Sequence, residues 1–187
     1  MTDIPPADHA SPADVIAFWF GAGPKKWFTK DASFDAEIRE KFLPAYEAAA
    51  QGHLAGWEAT PDGALALVIL LDQFPRNIFR GSPRAFDTDP LAREIASRAI
   101  ARGFDKQLGA PKRNFFYLPF MHSEALDDQE RCIELSREAG DENTLKFALL
   151  HADIIRRFGR FPHRNSILGR KTTPDEQAFL DGGGFAG

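Results

Sequence analysis

The apolar residues of this chain recur at helical spacing, and no segment alternates with the period of two expected for a β-strand. One stretch carries a large apolar residue at every fourth position: Phe34, Ile38, Phe42 and Tyr46. The longest apolar run, Ala64 to Leu71, is apolar on every side, which is typical of a helix buried at the centre of a fold. The pattern predicts an all-α fold in which Ala64 to Phe74 is central and about seven or eight helices pack antiparallel on one another.

Capping residues followed by proline mark helix starts at Ser11-Pro12, Thr60-Pro61, Asp89-Pro90 and Thr173-Pro174. Glycines mark helix ends at Gly21, Gly103, Gly140 and Gly159. Further helices are predicted from near Ser33 to Ala50, from Asp127 to Ala139 and from Asp141 to Phe158. We expect Pro75 to stop the central helix at Phe74, because the residue before a proline resists the α conformation. We expect Pro44 to kink its helix.

The length of 187 residues is enough for one domain with its own core, so residues 1–187 are predicted to form a single helical domain, with two small domains as the alternative. Residues 1–10 and 182–187 are expected to be flexible tails. The N-terminal segment lacks the pattern of a signal peptide, and the longest apolar run is too short to cross a membrane. Cys132 is the only cysteine, which excludes an intramolecular disulfide and fits a reducing, cytoplasmic location.

Four segments resemble a known family: Phe18-Trp19-Phe20-Gly21, Leu71 to Asn77, Leu118 to Glu124 and Phe158 to Asn165. In this order they resemble the uncharacterised bacterial helical proteins called domain of unknown function nine-two-four, placed with the tetratricopeptide-like superfamily. The resemblance implies an α-α superhelical fold. It implies no activity, because none is established for the family.

The first polar cluster follows the most apolar helix and consists of Asp72, Gln73, Arg76, Asn77 and Arg80. Polar groups at the end of a buried helix need partners. One interpretation is structural, since an arginine just past a helix end can bond the free carbonyls. The other is that the cluster faces a ligand. A similar turn, Phe161-Pro162-His163-Arg164-Asn165, follows a second long helix, and the same bracing role is predicted for both arginines.

The second candidate is a basic segment in a protein of net charge −4. From His151 to Lys171 there are six lysines or arginines and one acid, whereas Met121 to Glu142 carries eight acids and two arginines. These two segments could lie together and exchange salt bridges. Alternatively, Arg160 and Arg164 could hold a carboxylate or phosphate, because the guanidinium fork matches both.

The histidines are the candidate catalytic groups. His151 shares a helix face with Phe147, Leu150, Ile154 and Phe158, so we expect it to point toward the core. A histidine on such a face is usually a satisfied core residue, and a role as general acid or base for His151 or His122 is the alternative. No pair of histidines has the spacing of a helical metal site, so no metal is predicted. The sequence carries no phosphate-loop, dinucleotide-binding or nucleophile-elbow motif, so no cofactor is predicted.

Two functions remain in competition, and the sequence does not establish whether the protein is an enzyme. The first is a pocket for a small anionic molecule, with His122 or His151 at its wall; the predicted ligand-binding residues are Asp72, Arg76, Asn77, Arg80, Glu124, Arg160, His163, Arg164 and Asn165. The second is a tetratricopeptide-like module that binds a protein segment, with the polar clusters as structural braces. The acidic net charge argues against a nucleic-acid partner, and no membrane partner is expected.

Overall fold

A computed structural model describes residues 10–185, and every regular element in this range is helical. The all-α prediction is therefore confirmed. The chain divides into two compact units: one contains the described residues up to 80 together with 84–116, and the other contains 81–83 and the described residues from 117 onward. The tails predicted at residues 1–9 and 186–187 lie outside the described residues. Within residues 10–185, no helix is both long and apolar enough to cross a membrane.

The first unit holds seven helical segments: α1 Pro12–Ala22, α2 Pro24–Trp27, α3 Ala32–Ala50, α4 Pro61–Val68, α5 Phe74–Ile78, α6 Asp89–Ala101 and α7 Phe104–Gln107. The predicted capping hydrogen bonds are present at the starts of α1 and α4. The Ser11 side chain accepts a hydrogen bond from the Asp14 N–H, and Thr60 accepts one from the Gly63 N–H. These bonds satisfy donors that the first turn of a helix leaves free.

The central helix confirms one prediction and corrects another. Every residue from Gly63 to Pro75 is buried, as the all-round apolar pattern indicated. The expectation that Pro75 ends the helix at Phe74 is wrong, because a wide π-helical turn, Ile69–Gln73, joins α4 to α5 and the chain stays helical to Ile78. The wide turn inserts one residue ahead of the proline ring, which would otherwise clash with the helix backbone.

Aromatic rings pack around this central helix in stacked, tilted and edge-to-face contacts. Trp19 is fully buried, and its ring lies 5.6 Å from Phe74 and 5.9 Å from both Trp27 and Phe115. Phe74 also packs 4.9 Å from Phe42 of α3. Offset and edge-to-face contacts of this kind add to the energy of burial. They fix α1 and α3 against the central helix.

The second unit holds α8 Leu118–Met121, α9 Leu126–Glu138, α10 Glu142–Phe158 and α11 Pro174–Asp181. Helices α9 and α10 form an antiparallel hairpin whose tight turn uses Gly140 at a φ of 67°, a left-handed conformation that glycine adopts without strain. A capping box at Thr173 and Glu176 starts α11, as predicted. Phe185, in the segment predicted to be a tail, packs its ring against His151 and His163.

Helix α10 buries only part of the face predicted to point toward the core, and His151 is in the buried part. His151 and Ile154 are buried, but Phe147 and Leu150 are each 42% exposed. The buried stripe instead includes two small residues, Ala148 and Ala152. Apolar residues cover more than one side of this helix, so the pattern alone did not fix its rotation. The small residues turn toward the core because they allow close packing.

Candidate functional site

In the first unit, the guanidinium of Arg76 is held by internal partners. It binds both carboxylate oxygens of Asp89 at 2.9 and 3.0 Å, lies 3.4 Å from the Asp72 carboxylate, and donates to the Asp72 carbonyl oxygen. Burial by itself would lower the pKa of Arg76, but the charges of Asp72 and Asp89 outweigh it and the pKa is raised. Arg76 is thus a charged brace that reaches both a helix carbonyl and a carboxylate, as predicted for this turn.

Asn77 and Arg80 of the same cluster both bond to Asp35 of α3. Its carboxylate accepts a hydrogen bond from Asn77 at 2.7 Å and two from Arg80 at 2.7 and 2.8 Å. Burial would raise the pKa of Asp35, yet the bonds from Arg80 and Asn77 lower it overall. Of the residues predicted from the sequence, Asp72 and Arg76 therefore link the central helix to Asp89 at the start of α6, whereas Asn77 and Arg80 bond to α3.

The second unit brings the histidines and Arg164 together. His151 and His163 both contact Phe161, at 5.5 and 5.6 Å between ring centroids, and both contact Phe185, at 4.5 and 5.3 Å. The guanidinium of Arg164 lies over the Phe161 ring at 4.5 Å. We call these five residues the histidine cluster. The predicted site residues Glu124 and His122 lie close to this cluster, since Glu124 bonds the Phe161 N–H and the charge of His122 acts on His151.

The hydrogen bonding of His151 fixes its tautomer. Its Nδ1 lies 2.8 Å from the carbonyl oxygen of Phe147. A carbonyl oxygen only accepts, so Nδ1 donates, and in the neutral ring Nε2 retains a lone pair. Burial lowers the pKa of His151 to about 4, and the nearby charges of His122 and Arg164 act in the same direction. His151 is therefore neutral at pH 7 and offers a hydrogen-bond acceptor inside the cluster.

His163 has a buried polar atom that remains unsatisfied. Its Nδ1 makes no hydrogen bond to any of the described residues. Burial lowers the pKa of His163 to about 4, with a further contribution from the charge of Arg164. A buried nitrogen without a partner costs free energy, so such an atom in a native protein calls for an explanation.

Glu124 links the histidine cluster to the segment between α10 and α11, residues 159–173, which we call the C-terminal loop. Its carboxylate accepts two hydrogen bonds from Arg170, at 2.7 and 3.0 Å, and one from the N–H of Phe161 at 2.8 Å. Burial would raise the pKa of Glu124, but the bonds from Arg170 and Phe161 outweigh it and the pKa is lowered. The charge of Arg164 also acts on Glu124. The two hydrogen bonds from Arg170 hold the Glu124 carboxylate in place, and Glu124 in turn positions Phe161, whose ring contacts both histidines of the cluster.

Arg160 and Asn165, which lie in the same loop, both bond to Glu176 of α11. The buried carboxylate of Glu176 accepts bonds from Arg160 at 2.6 and 2.8 Å and from Asn165 at 3.1 Å. The hydrogen bonds from Arg160 are the main reason that the pKa of Glu176 falls to about 2. Asn165 in turn accepts a bond from Arg170 at 3.1 Å. Arg160 is therefore engaged by a carboxylate.

Charged groups of both signs lie around the histidine cluster. Glu124 carries a negative charge, Arg164 and Arg170 carry positive charges, and the neutral rings of His151 and His163 add none. In a buried site of low dielectric constant, each charge acts on a ligand more strongly than it would at the surface. The site thus combines a cation, two neutral imidazoles and phenyl rings.

The comparisons with known proteins agree with this architecture. Residues 15–184 match a family described as bacterial protein of unknown function, DUF924. The chain belongs to this family. A solved structure of another protein of unknown function, from Agrobacterium tumefaciens, is 48% identical in sequence and superposes with a TM-score of 0.88 over 91% of this chain and 97% of that one. No curated protein matches the chain.

The family resemblance inferred from the four sequence segments is thereby confirmed, while the tetratricopeptide-like assignment stays a prediction. Sequence reasoning missed Arg170, Glu176 and Phe185 as parts of the second unit's network. Arg170 and Glu176 carried a weak signal, since one lies in the basic segment and the other in a capping box. Phe185 carried none, because glycines surround it.

The described residues of each unit form a surface groove. One, of about 450 Å³, runs between the starts of α1 and α4 and is lined by Ser11, Ile16, Thr60 and neighbouring residues. The other, of about 530 Å³, lies beside Arg157, Phe158 and Phe179. None of the predicted ligand-binding residues lines either groove. The cluster itself is covered by the ring of Phe185.

Proposed function

We propose that the second unit binds a small anionic molecule at the histidine cluster, with Arg164 as the cationic group. The observation that carries the proposal is the unsatisfied, buried Nδ1 of His163 beside Arg164. A ligand that carries a carboxylate or phosphate together with a hydrogen-bonding group would satisfy this nitrogen, and the guanidinium of Arg164 has the planar geometry that matches either anion. The phenyl rings of Phe161 and Phe185 favour a ligand with an apolar or aromatic body.

His151 is the proposed acid–base group of this site, and the charge of His122 lowers the pKa of His151. The lone pair on His151 Nε2 could accept a proton or a hydrogen bond from a ligand hydroxyl. A base of pKa about 4 is weak at pH 7, but an anion bound next to the ring would raise that pKa toward neutrality. The ligand would thereby help to activate the histidine. An enzymatic reaction at this site would therefore use His151 as its base after the anionic ligand has bound.

The glycines before Phe185 support access to the site. Gly182, Gly183 and Gly184 link α11 to Phe185, so backbone rotation there would lift the ring from the histidines. A ligand would then take the position of the phenyl ring. We also infer a cytoplasmic location, which rests on the lone, buried Cys132.

The test uses three anions as probes: orthophosphate, malonate and benzoate. We expect benzoate, which adds a phenyl ring to a carboxylate, to raise the melting temperature most, because binding to the native state alone stabilises it. The stabilisation should weaken with added salt. Arg164→Gln should abolish it, whereas Arg156→Gln, at an exposed position of α10, should not. An equal shift in wild type and Arg164→Gln would refute the proposal.

A protein-interaction module is the second candidate function, and one observation favours it. The arginines Arg76, Arg80 and Arg160 are all bonded to carboxylates, as structural braces would be. In this alternative, the histidine cluster is a packed joint of the C-terminal loop. The probe experiment separates the two, since a packed joint gives no anion-dependent stabilisation that Arg164→Gln removes.

A further inference from the structure

Helix α10 exposes a group of large apolar side chains. Phe147, Leu149 and Leu150 are 42%, 44% and 42% exposed. The other large apolar residues of comparable exposure in the described chain, Phe28 and Leu126, stand outside this helix. Isolated exposed apolar residues are ordinary, but the adjacent leucines Leu149 and Leu150 form a small apolar patch, and apolar patches mark interaction sites.

The charges on either side of this patch are ordered. Lys146 stands three residues before Leu149, and Asp153 stands three residues after Leu150. Glu142 lies seven residues before Leu149, and Arg157 lies seven residues after Leu150. All four charged residues are exposed. Steps of three and four residues place them on one stripe of the helix with the two leucines.

This order makes the stripe complementary to itself when it is reversed. If a second α10 runs antiparallel across a two-fold axis between Leu149 and Leu150, Lys146 meets Asp153 of the second helix and Glu142 meets Arg157. By symmetry each pair occurs twice, because a two-fold interface repeats every contact. A parallel arrangement in the same register would instead place like charges opposite each other.

We propose that the exposed face of α10 binds a second copy of this chain, antiparallel, with Leu149 and Leu150 at the two-fold axis. The two leucines supply the apolar centre, and the four ion pairs set the direction and register. The occupant is another copy because the charge order matches its own reverse. One helix face is smaller than a standard interface, so the dimer depends on concentration. The proposal is independent of the anion site.

Sedimentation velocity of the full chain over a range of concentrations tests association directly. We expect a species of twice the chain mass to grow with concentration, up to about 0.5 mM, a range in which small interfaces still associate. The pair of substitutions Leu149→Glu and Leu150→Glu should remove that species. Because both side chains are exposed, the melting temperature and helical circular dichroism of this variant should match those of the wild type.

Charge swaps test the register itself. Lys146→Glu or Asp153→Lys alone sets like charges opposite each other twice, and each should raise the dimer dissociation constant about tenfold. The double variant Lys146→Glu/Asp153→Lys restores both pairs with reversed sign and should return to the wild-type value. Lys106→Glu, on α7, is the matched control and should change nothing.

The outcomes are decisive in either direction. A chain that stays monomeric at all concentrations would overturn the proposal, and so would a dimer that survives the two leucine substitutions. A dimer that the leucine substitutions abolish but that single charge swaps leave unaffected would overturn the antiparallel register. Recovery in the double charge swap, after loss in each single one, would establish it.

Discussion

The hydroxyl of Thr88 donates a hydrogen bond of 2.6 Å to the carbonyl oxygen of Leu71. Leu71 lies four residues before Pro75, which has no N–H to offer that carbonyl. The carbonyl of Asp72, which follows it, receives a bond from the Arg76 side chain. Side chains thus supply donors at the point where the π-helical turn and the proline disturb the backbone ladder, and this explains how α5 continues through Pro75.

Thr88→Val should therefore destabilise the fold. Valine keeps the shape of threonine but leaves the buried carbonyl of Leu71 without this donor, which costs about 1–3 kcal/mol in the free energy of unfolding. Thr29→Val is the matched control, since Thr29 makes a bond of the same 2.6 Å length to the Lys25 carbonyl at an exposed site. Water can replace that donor. Urea denaturation of both variants would measure the difference, and equal losses would contradict this account.

Arg76→Ala should lower the free energy of unfolding by about 1–3 kcal/mol, because it leaves the buried carboxylates of Asp72 and Asp89 without their cation. Arg84→Ala, which breaks an exposed 2.9 Å pair with Glu47, should cost less than about 1 kcal/mol. Denaturant titration at pH 7 is the measurement. A loss in Arg76→Ala no larger than that in Arg84→Ala would show that the brace is not needed.

The low pKa of His151 predicts a dependence of stability on pH. The folded value is about 4, below the unfolded value of about 6.5, so the unfolded chain binds more protons between these limits. Stability from this group is complete above pH 6.5 and is lost as the pH falls toward 4. The loss at pH 4 amounts to roughly 3 kcal/mol.

His151→Asn isolates this effect, because its Nδ2 can still donate to the Phe147 carbonyl while the side chain no longer titrates. The variant should lose less stability than the wild type between pH 7 and pH 4. Denaturation curves at several pH values give both slopes. Parallel pH profiles for the two proteins would mean that His151 is not held neutral by burial.

Phe185→Ala should raise the pKa of both His151 and His163 toward 6.5. The phenyl ring covers both imidazoles, and its removal lets water solvate their charged forms. Histidine proton chemical shifts followed from pH 3 to 8 by NMR measure the two values. Phe28→Ala, which removes a ring that is 73% exposed, is the control and should leave both unchanged. Unaltered titrations in Phe185→Ala would exclude the ring as the cover.

The helical class and most helix boundaries could be predicted from the sequence alone. Local signals are sufficient here, because capping at Ser11, Thr60 and Thr173 and the turn at Gly140 act within a few residues of the backbone they stabilise. The burial of Gly63 to Pro75 also followed from sequence, since a helix that is apolar on every side has no face to present to water.

The partners of the polar side chains and the rotation of α10 could not be predicted, because both depend on how the helices pack. Arg76 pairs with Asp89, thirteen residues away, and Glu124 pairs with Arg170, forty-six residues away. Such choices depend on which distant carboxylate the packing of helices brings within reach. The same holds for the face of α10, where Ala148 and Ala152 turn inward and Phe147 stays exposed, because the fit of neighbouring helices outweighs the hydrophobicity of single residues.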